Sequence, residues 1–353
     1  MEKILSPEAV EALIAWYEEN KRDLPWRHTH DPYRIWISEI MLQQTRVEAV
    51  KQYYARFLEA FPTVESLANA SEEQLMKLWE GLGYYSRARN LQKAAREITA
   101  LYGGRMPADE GALRALCGIG DYTAGAIASI AFGIPAPAVD GNVLRVLSRV
   151  SGSEEDITKQ ATKKKWSEAL RAVIPTSDPA SFTQAMIELG ATVCGPNSAP
   201  RCEECPFGNI CVACREQSWD HIPVKSAKKE RRIEKLTVLL IRDGDRTALR
   251  KRPSKGLLAG LYELPNLRGH IEEKQLPDQI RALGFEPLRI VRIEDAKHIF
   301  THLEWHMIAY TVQITPEFDG IHEPSGLLLV NNGELKKSYA IPSAFSAYKR
   351  HLF

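Results

Sequence analysis

Two lone carboxylates and a group of thiols are the residues of this chain whose types and spacing could do chemistry. The first carboxylate is Glu39, in the run Arg34-Ile35-Trp36-Ile37-Ser38-Glu39-Ile40-Met41-Leu42-Gln43-Gln44-Thr45. A carboxyl group in such an apolar run is expected to be buried. Burial disfavours the charged form, and a raised pKa suits a carboxylic acid to donate a proton near neutral pH. The competing reading is a Glu on the one wet face of an amphipathic helix. The second carboxylate is Asp140, in Ala138-Val139-Asp140-Gly141-Asn142-Val143-Leu144-Arg145-Val146. Asp140 or Asn142 could simply cap the helix that follows. A second carboxylate could also face a developing cation. Loss of a base from deoxyribose leaves an oxocarbenium-like sugar, and two carboxylates of different pKa fit that chemistry, one to protonate and one to stabilise or attack.

Five of the six cysteines fall between Cys194 and Cys214. That clustering points to a metal site in a reducing compartment, not to a disulfide framework. Cys194, Cys202, Cys205 and Cys211 are separated by seven, two and five residues. Four thiolates so placed can hold zinc or an iron–sulfur cluster. The short intervals favour the cluster. Zinc stays open because Cys211-Val212-Ala213-Cys214 could supply a second Cys-x-x-Cys arm.

The elements that must position these groups divide the chain. With 353 residues it has room for two or three domains. Its 44% hydrophobic and 26% charged content is that of a soluble globular protein. No apolar run reaches membrane-span length and the N-terminus lacks a signal-peptide layout, so a cytoplasmic protein without a membrane partner is expected. Net charge is +1, so any affinity for DNA must come from local patches such as Lys159 with Lys163-Lys164-Lys165, or the run Lys225 to Arg232. Such runs are more often a solvated face or linker than a DNA site. Residues 1–215 read as helical. Ser6-Pro7-Glu8 starts one helix; Ser71-Glu72-Glu73-Gln74 is a capping box whose helix should end at Gly81-Leu82-Gly83; another helix covers about 123–132. A basic, polar linker is expected at 216–234. From 235 to 353 the pattern becomes a smaller α+β domain, with strands at 236–241, 247–249, 288–294, 305–313 and 327–330 and a helix at 275–283.

Leu116-Cys117-Gly118-Ile119-Gly120-Asp121-Tyr122-Thr123-Ala124-Gly125 joins two of the helices by a Gly-x-Gly turn. Gly118 and Gly120 let the backbone approach a ligand, and the amides of the next helix suit a phosphate oxygen. A plain helix–helix turn reads the same way. Together with Val139-Asp140-Gly141-Asn142-Val143 and the cysteine loop, this hairpin resembles the helix-hairpin-helix DNA glycosylase superfamily that includes endonuclease III. Leu24-Pro25-Trp26-Arg27, the Glu39 run, Gly81-Leu82-Gly83-Tyr84-Tyr85-Ser86-Arg87-Ala88-Arg89-Asn90, and Arg252-Pro253 followed by Gly256-Leu257-Leu258-Ala259-Gly260-Leu261-Tyr262-Glu263-Leu264-Pro265 resemble its MutY-type adenine DNA glycosylases.

The resemblance implies a mostly α N-terminal half of two helical lobes, with the hairpin at about 112–132 and an iron–sulfur loop at 194–211. It implies a Nudix-like C-terminal domain that inspects the base opposite the target. By motif position, Glu39 would protonate adenine N7, Asp140 would stabilise or capture the oxocarbenium ion, and Tyr122 and Asn142 would support that centre. Lyase members carry a Schiff-base lysine at the position of Tyr122. Tyr cannot form that imine, so a monofunctional glycosylase is expected. Trp26, Arg27 and Gln184 would border the adenine pocket. Gln44, Leu82 and Tyr84 would intrude into the duplex. Phe300-Thr301-His302 would sense 8-oxoguanine, and Cys194, Cys202, Cys205 and Cys211 would hold a [4Fe–4S] cluster. The partner implied is double-stranded DNA with adenine opposite 8-oxoguanine or guanine, met by a monomer. Three positions depart from the family pattern: Thr301 stands for serine, Cys117 for proline, and seven residues instead of six separate the first two ligands. A Nudix pyrophosphohydrolase is disfavoured because residues 272–284 lack its acidic catalytic helix. The pairing of Glu39 with Asp140 argues against a silent mismatch sensor, and the Phe300-Thr301-His302 domain against a thymine or uracil glycosylase.

Overall fold

The computed structural model describes residues 4–196, 198–227, 230–316, 321–322 and 326–352. Asn197 of the seven-residue interval between Cys194 and Cys202, and Lys228 and Lys229 of the basic run, lie outside them. The chain divides into two compact units: Met1–Ala70 with Arg89–Ala227, and Ser71–Ala88 with Lys228–Phe353.

The first unit is helical. Its elements are α1 (Pro7–Asn20), α2 (Pro32–Leu42), α3 (Val47–Ala60) and α4 (Val64–Asn69). α5 (Glu72–Leu78) belongs to the second unit, and α6 (Ser86–Tyr102) begins there and continues in the first. Then follow α7 (Glu110–Ala115), α8 (Asp121–Phe132), α9 (Gly141–Ser151), α10 (Gln160–Arg171), α11 (Pro179–Thr192) and α12 (Val212–Arg215). Ser6 caps α1 as expected, accepting from the Ala9 amide at 3.3 Å. One core joins α1, α9, α10 and α11 through Leu13, Tyr17, Leu147, Trp166, Phe182 and Met186. α2 packs on α8 and α8 on α11, which brings the Glu39 run beside the hairpin helix.

The second unit is a mixed sheet, in the order β5-β6-β1-β2-β8-β7. Its strands are β1 (Arg232–Asp243), β2 (Arg246–Lys251), β3 (Tyr262–Glu263), β4 (Asn266–Arg268), β5 (Pro287–Ile299), β6 (Leu303–Ile314), β7 (Ile321–His322) and β8 (Leu327–Asn331), with α13 (Leu276–Ala282) and α14 (Asn332–Ser338). β1 runs parallel to β6, with Leu239 opposite Tyr310. The apolar run at 236–241 is explained by burial on both faces. Leu236, Val238 and Leu240 join Trp305, Met307 and Phe345 on one side; Leu239 and Ile241 join Tyr310, Leu276 and Ile280 on the other.

The units depart from the expected boundaries in two places. Residues 216–227 do not form a free linker: Arg149 donates to the carbonyls of Trp219 and Ile222, both at 2.8 Å, and the Ile157 amide donates to Val224 at 3.1 Å. Residues 71–88 lie outside the first unit because Lys77 and Glu80 bond to Tyr339, Ile341 and Lys349. The helix from Ser71 also stops at Leu78, before the glycines expected to end it.

Candidate active site and cysteine loop

α2 starts where Asp31 accepts from the Tyr33 amide at 2.9 Å and Pro32 occupies the first turn. Its packing carries Glu39 into the wall of a cavity of about 440 Å³, leaving the residue 7% exposed. Burial pushes the Glu39 carboxyl up to about 7; a hydrogen bond from Tyr122 and the charge of Arg27 pull it down, and the charge of Asp140 pushes it further up. The Tyr122 hydroxyl, in the first turn of α8, donates to Glu39 Oε2 at 2.7 Å.

Asp140 is both the cap of α9 and a wall of the same cavity. Its Oδ1 accepts from the amides of Asn142 and Val143, both at 2.8 Å, and its Oδ2 from Asn142 Nδ2 at 2.8 Å. Burial raises its pKa, against the pull of these three bonds and of Arg145. The cap thus fixes a carboxylate that also lines the cavity. Asn142 Oδ1 accepts in turn from Arg145 Nη2 at 2.8 Å, and Arg145 Nε donates to the Cys194 carbonyl at 2.8 Å. Gly190 of α11 permits this approach, since a Cβ there would stand 2.6 Å from that of Asn142.

Trp26, Arg27, Gln44 and Gln184 also line the cavity. Two neighbours escaped the sequence reading. Glu188 is fully buried and takes a fork from Arg22 (2.8 and 2.7 Å) and contacts from Arg27 Nη1 and Nη2 (3.2 and 2.6 Å). Burial opposes its charge, but the two guanidiniums hold its carboxyl at about 2. Its setting, Ala185-Met186-Ile187-Glu188-Leu189, gives the same signal that singled out Glu39.

Leu82 and Tyr84 lie in the second unit. Leu82 is 5% exposed and does not project as an intruding residue would; Tyr84 is 50% exposed. The turn carrying them is fixed by Arg87, which donates to the carbonyls of Leu82 and Gly83 at 3.0 and 3.1 Å and lies over the Trp79 and Tyr84 rings. The Tyr84 hydroxyl is 3.3 Å from Thr301 Oγ1. Phe300 is packed edge-on against Trp305, and Thr301 and His302 are exposed. In the hairpin, Gly118 has φ +77 against the Asn90 side chain, and Gly120 caps α8 with no side chain over its first amides, the arrangement that leaves them for an anion.

Cys194, Cys202, Cys205, Cys211 and also Cys214 line one small, mostly apolar cavity. Burial pushes the Cys202 thiol up to about 11 and Cys205 to about 12, and raises Cys211. Arg149 Nη1 donates to Cys194 Sγ at 3.2 Å. Among the described residues, no three His, Cys, Asp or Glu lie close enough together to hold a single metal ion. The donor set nevertheless fits a metal-bearing group. Crowded, buried thiols resist ionisation unless a cation compensates them, and metal binding supplies that charge.

Fold and site together define a base-excision enzyme. Residues 37–172 match the HhH-GPD superfamily of base excision DNA repair proteins and residues 237–351 match the NUDIX domain. The solved structure of endonuclease III in a trapped covalent intermediate with DNA aligns with a TM-score of 0.52 at 25% identity, over 61% of this chain and 99% of that one. A thermostable thymine-DNA glycosylase gives 0.54 at 30% identity, over 59% and 95%. The adenine DNA glycosylase of Mus musculus is 36% identical over 361 residues, 86% of this chain and 70% of that protein. That of Homo sapiens is 33% identical over 402 residues, 96% and 73%. The chain belongs to the adenine DNA glycosylases, which hydrolyse N-glycosidic bonds. Among the described residues no helix is long and apolar enough to cross a membrane.

Proposed function

We propose that this glycosylase takes adenine opposite 8-oxoguanine or guanine out of duplex DNA and cleaves its N-glycosidic bond in the cavity of the first unit. The observation that carries the reading is Glu39, buried with a pKa of about 7 and sharing its cavity with Asp140. Adenine extruded from the stack enters between Trp26, Arg27 and Gln184. The Glu39 proton passes to adenine N7, the N-glycosidic electron pair leaves with the base, and the sugar becomes an oxocarbenium-like cation. Asp140, fixed by its three hydrogen bonds, faces that cation until water adds and loses a proton. Tyr122 orients Glu39, and Asn142 orients Asp140. No lysine lines the cavity among the described residues, which supports hydrolysis without an imine step. The exposed Gln44 and Tyr84 contact the strands beside the lesion, and Phe300-Thr301-His302 reads the opposite base, with Thr301 supplying a hydroxyl. Hairpin amides bind phosphate, so affinity weakens with salt. Cys194, Cys202, Cys205 and Cys211 would hold a [4Fe–4S] cluster, whose bound form supplies a structural clamp on the loop. The protein acts as a monomer.

Single-turnover assays on duplexes with adenine opposite 8-oxoguanine, adenine opposite guanine and thymine opposite guanine test this. Adenine release fastest opposite 8-oxoguanine is expected. Equal rates for the two adenine duplexes would remove the opposite-base reading, and thymine release would remove the base assignment. Iron and acid-labile sulfide in the purified protein, absent after Cys202→Ser, are expected; zinc in their place overturns the cluster.

A further inference from the structure

An ionic cluster in the second unit has no part in this chemistry. The turn 81–84 departs from regular backbone, with φ of +103 at Gly81, +68 at Gly83 and +47 at Tyr84. Backbone bonds close its two edges, Leu82 to the Trp79 carbonyl at 3.1 Å and Arg87 to the Tyr84 carbonyl at 2.9 Å, and side chains hold it between them and against the rest of the unit. Four residues before Tyr84, the Glu80 carboxylate accepts from Lys77 Nζ at 2.6 Å, Lys349 Nζ at 2.5 Å and the Ile341 amide at 3.3 Å. Lys77 also donates to the Tyr339 carbonyl at 3.0 Å. Glu80 is only 17% exposed in its side chain, so its three donors are poorly replaced by water. The cluster thus fastens a piece of chain that comes from the helical half, α5 and the turn after it, to residues 339–349. The same piece ends at Tyr84, whose hydroxyl meets Thr301.

We propose that Glu80 is a positioning residue for opposite-base discrimination: it pins the 71–88 segment so that the Tyr84 hydroxyl stays against Thr301. The inference rests on the reading of Phe300-Thr301-His302 as the sensor of 8-oxoguanine. Glu80 touches no DNA in this account. Its loss loosens the attachment of the segment to residues 339–349 while Arg87 still shapes the turn, and Thr301 loses the partner that fixes its hydroxyl rotor. The effect should therefore fall on the preference between opposite bases and not on bond cleavage.

The test is single-turnover excision of adenine opposite 8-oxoguanine and opposite guanine, with wild type, Glu80→Gln, Thr301→Val and the double variant. Glu80→Gln is expected to lower the preference for 8-oxoguanine about three- to tenfold, the size of effect seen when a coupling residue is changed, while the rate opposite guanine stays. In the Thr301→Val background it should have no further effect. Lys349→Met, which removes one of three donors, should give a smaller loss in the same direction and serves if Glu80→Gln folds poorly. The proposal is overturned if both adenine duplexes slow together, or if the Glu80 and Thr301 effects multiply. A wild-type protein with no preference would overturn it together with the sensor reading; a selective wild type with an indifferent Glu80→Gln would overturn the proposal alone.

Discussion

The two walls of the first unit's cavity carry the same sequence feature and opposite physics. Glu39 on α2 and Glu188 on α11 are each a single carboxylate in an apolar helical run, and both are buried. Glu39 has one neutral donor, Tyr122, and stays protonatable near 7. Glu188 has two guanidiniums and is held ionised down to about 2. Burial by itself therefore does not make an acid catalyst. What matters is which partner compensates the charge: an uncompensated carboxyl keeps its proton for delivery, and a compensated one becomes a fixed anion that anchors Arg22 and Arg27.

The sharpest test of this contrast is to remove each acid in turn. Glu39→Gln should slow single-turnover adenine excision by roughly 10²–10⁴-fold, the range for positioned proton donation, with the far-UV spectrum unchanged. Glu188→Gln should instead act on stability, lowering the unfolding free energy by about 2–4 kcal/mol in denaturant titrations because a nearly buried Arg27 and a partly exposed Arg22 lose their anion. Loss of excision in Glu188→Gln with no loss of stability would erase the distinction. The pH dependence of stability should also differ in sign. The Glu39 pKa is raised from 4.5 to about 7, so the folded state holds an extra proton in that interval. Its contribution of roughly 3 kcal/mol is present below pH 4.5 and is lost as pH rises to 7. Glu188, lowered to about 2, contributes stability above pH 4.5 that is lost as pH falls through 2. Thermal melts of wild type, Glu39→Gln and Glu188→Gln across pH read the two slopes apart. The smallest effect is expected from Tyr122→Phe. Its hydroxyl favours the charged form of Glu39, so its removal should move the alkaline limb of the excision profile upward by about one pH unit. A downward shift would mean that Tyr122 stabilises the protonated acid.

Much of the architecture was legible because its causes are local. The Ser6-Pro7 start of α1, the Gly-x-Gly turn before α8 and the strand at 236–241 follow from caps, φ requirements and apolar patterning. Long-range compensation was not legible. The run around Glu188 looks like the run around Glu39, and only the fold brings Arg22, 166 residues away, to one of them. The same blindness places residues 71–88 with the helices around them, since the hydrogen bond and ion pair that assign them elsewhere are formed with residues more than 250 positions later. The family resemblance implies an intruding Leu82, yet its side chain is buried. Cys214 was left beside the four-cysteine pattern, although it lines the same cavity. The capping reading of Asp140 holds, and the capped carboxylate also lines the cavity.

Because α6 starts in one unit and runs on into the other, the molecule cannot be dissected with a single cut. Severing the chain near residue 228 would strip Lys77, Glu80 and Tyr84 of their partners at Tyr339, Ile341, Lys349 and Thr301 while leaving them attached to the helical half. The isolated C-terminal fragment would in turn lack α5, the element that packs against α14. Activities compared between such fragments and the intact protein would report the melting of residues 71–88 along with the loss of the loop at 300–302. The two can be separated only by point substitutions in that loop.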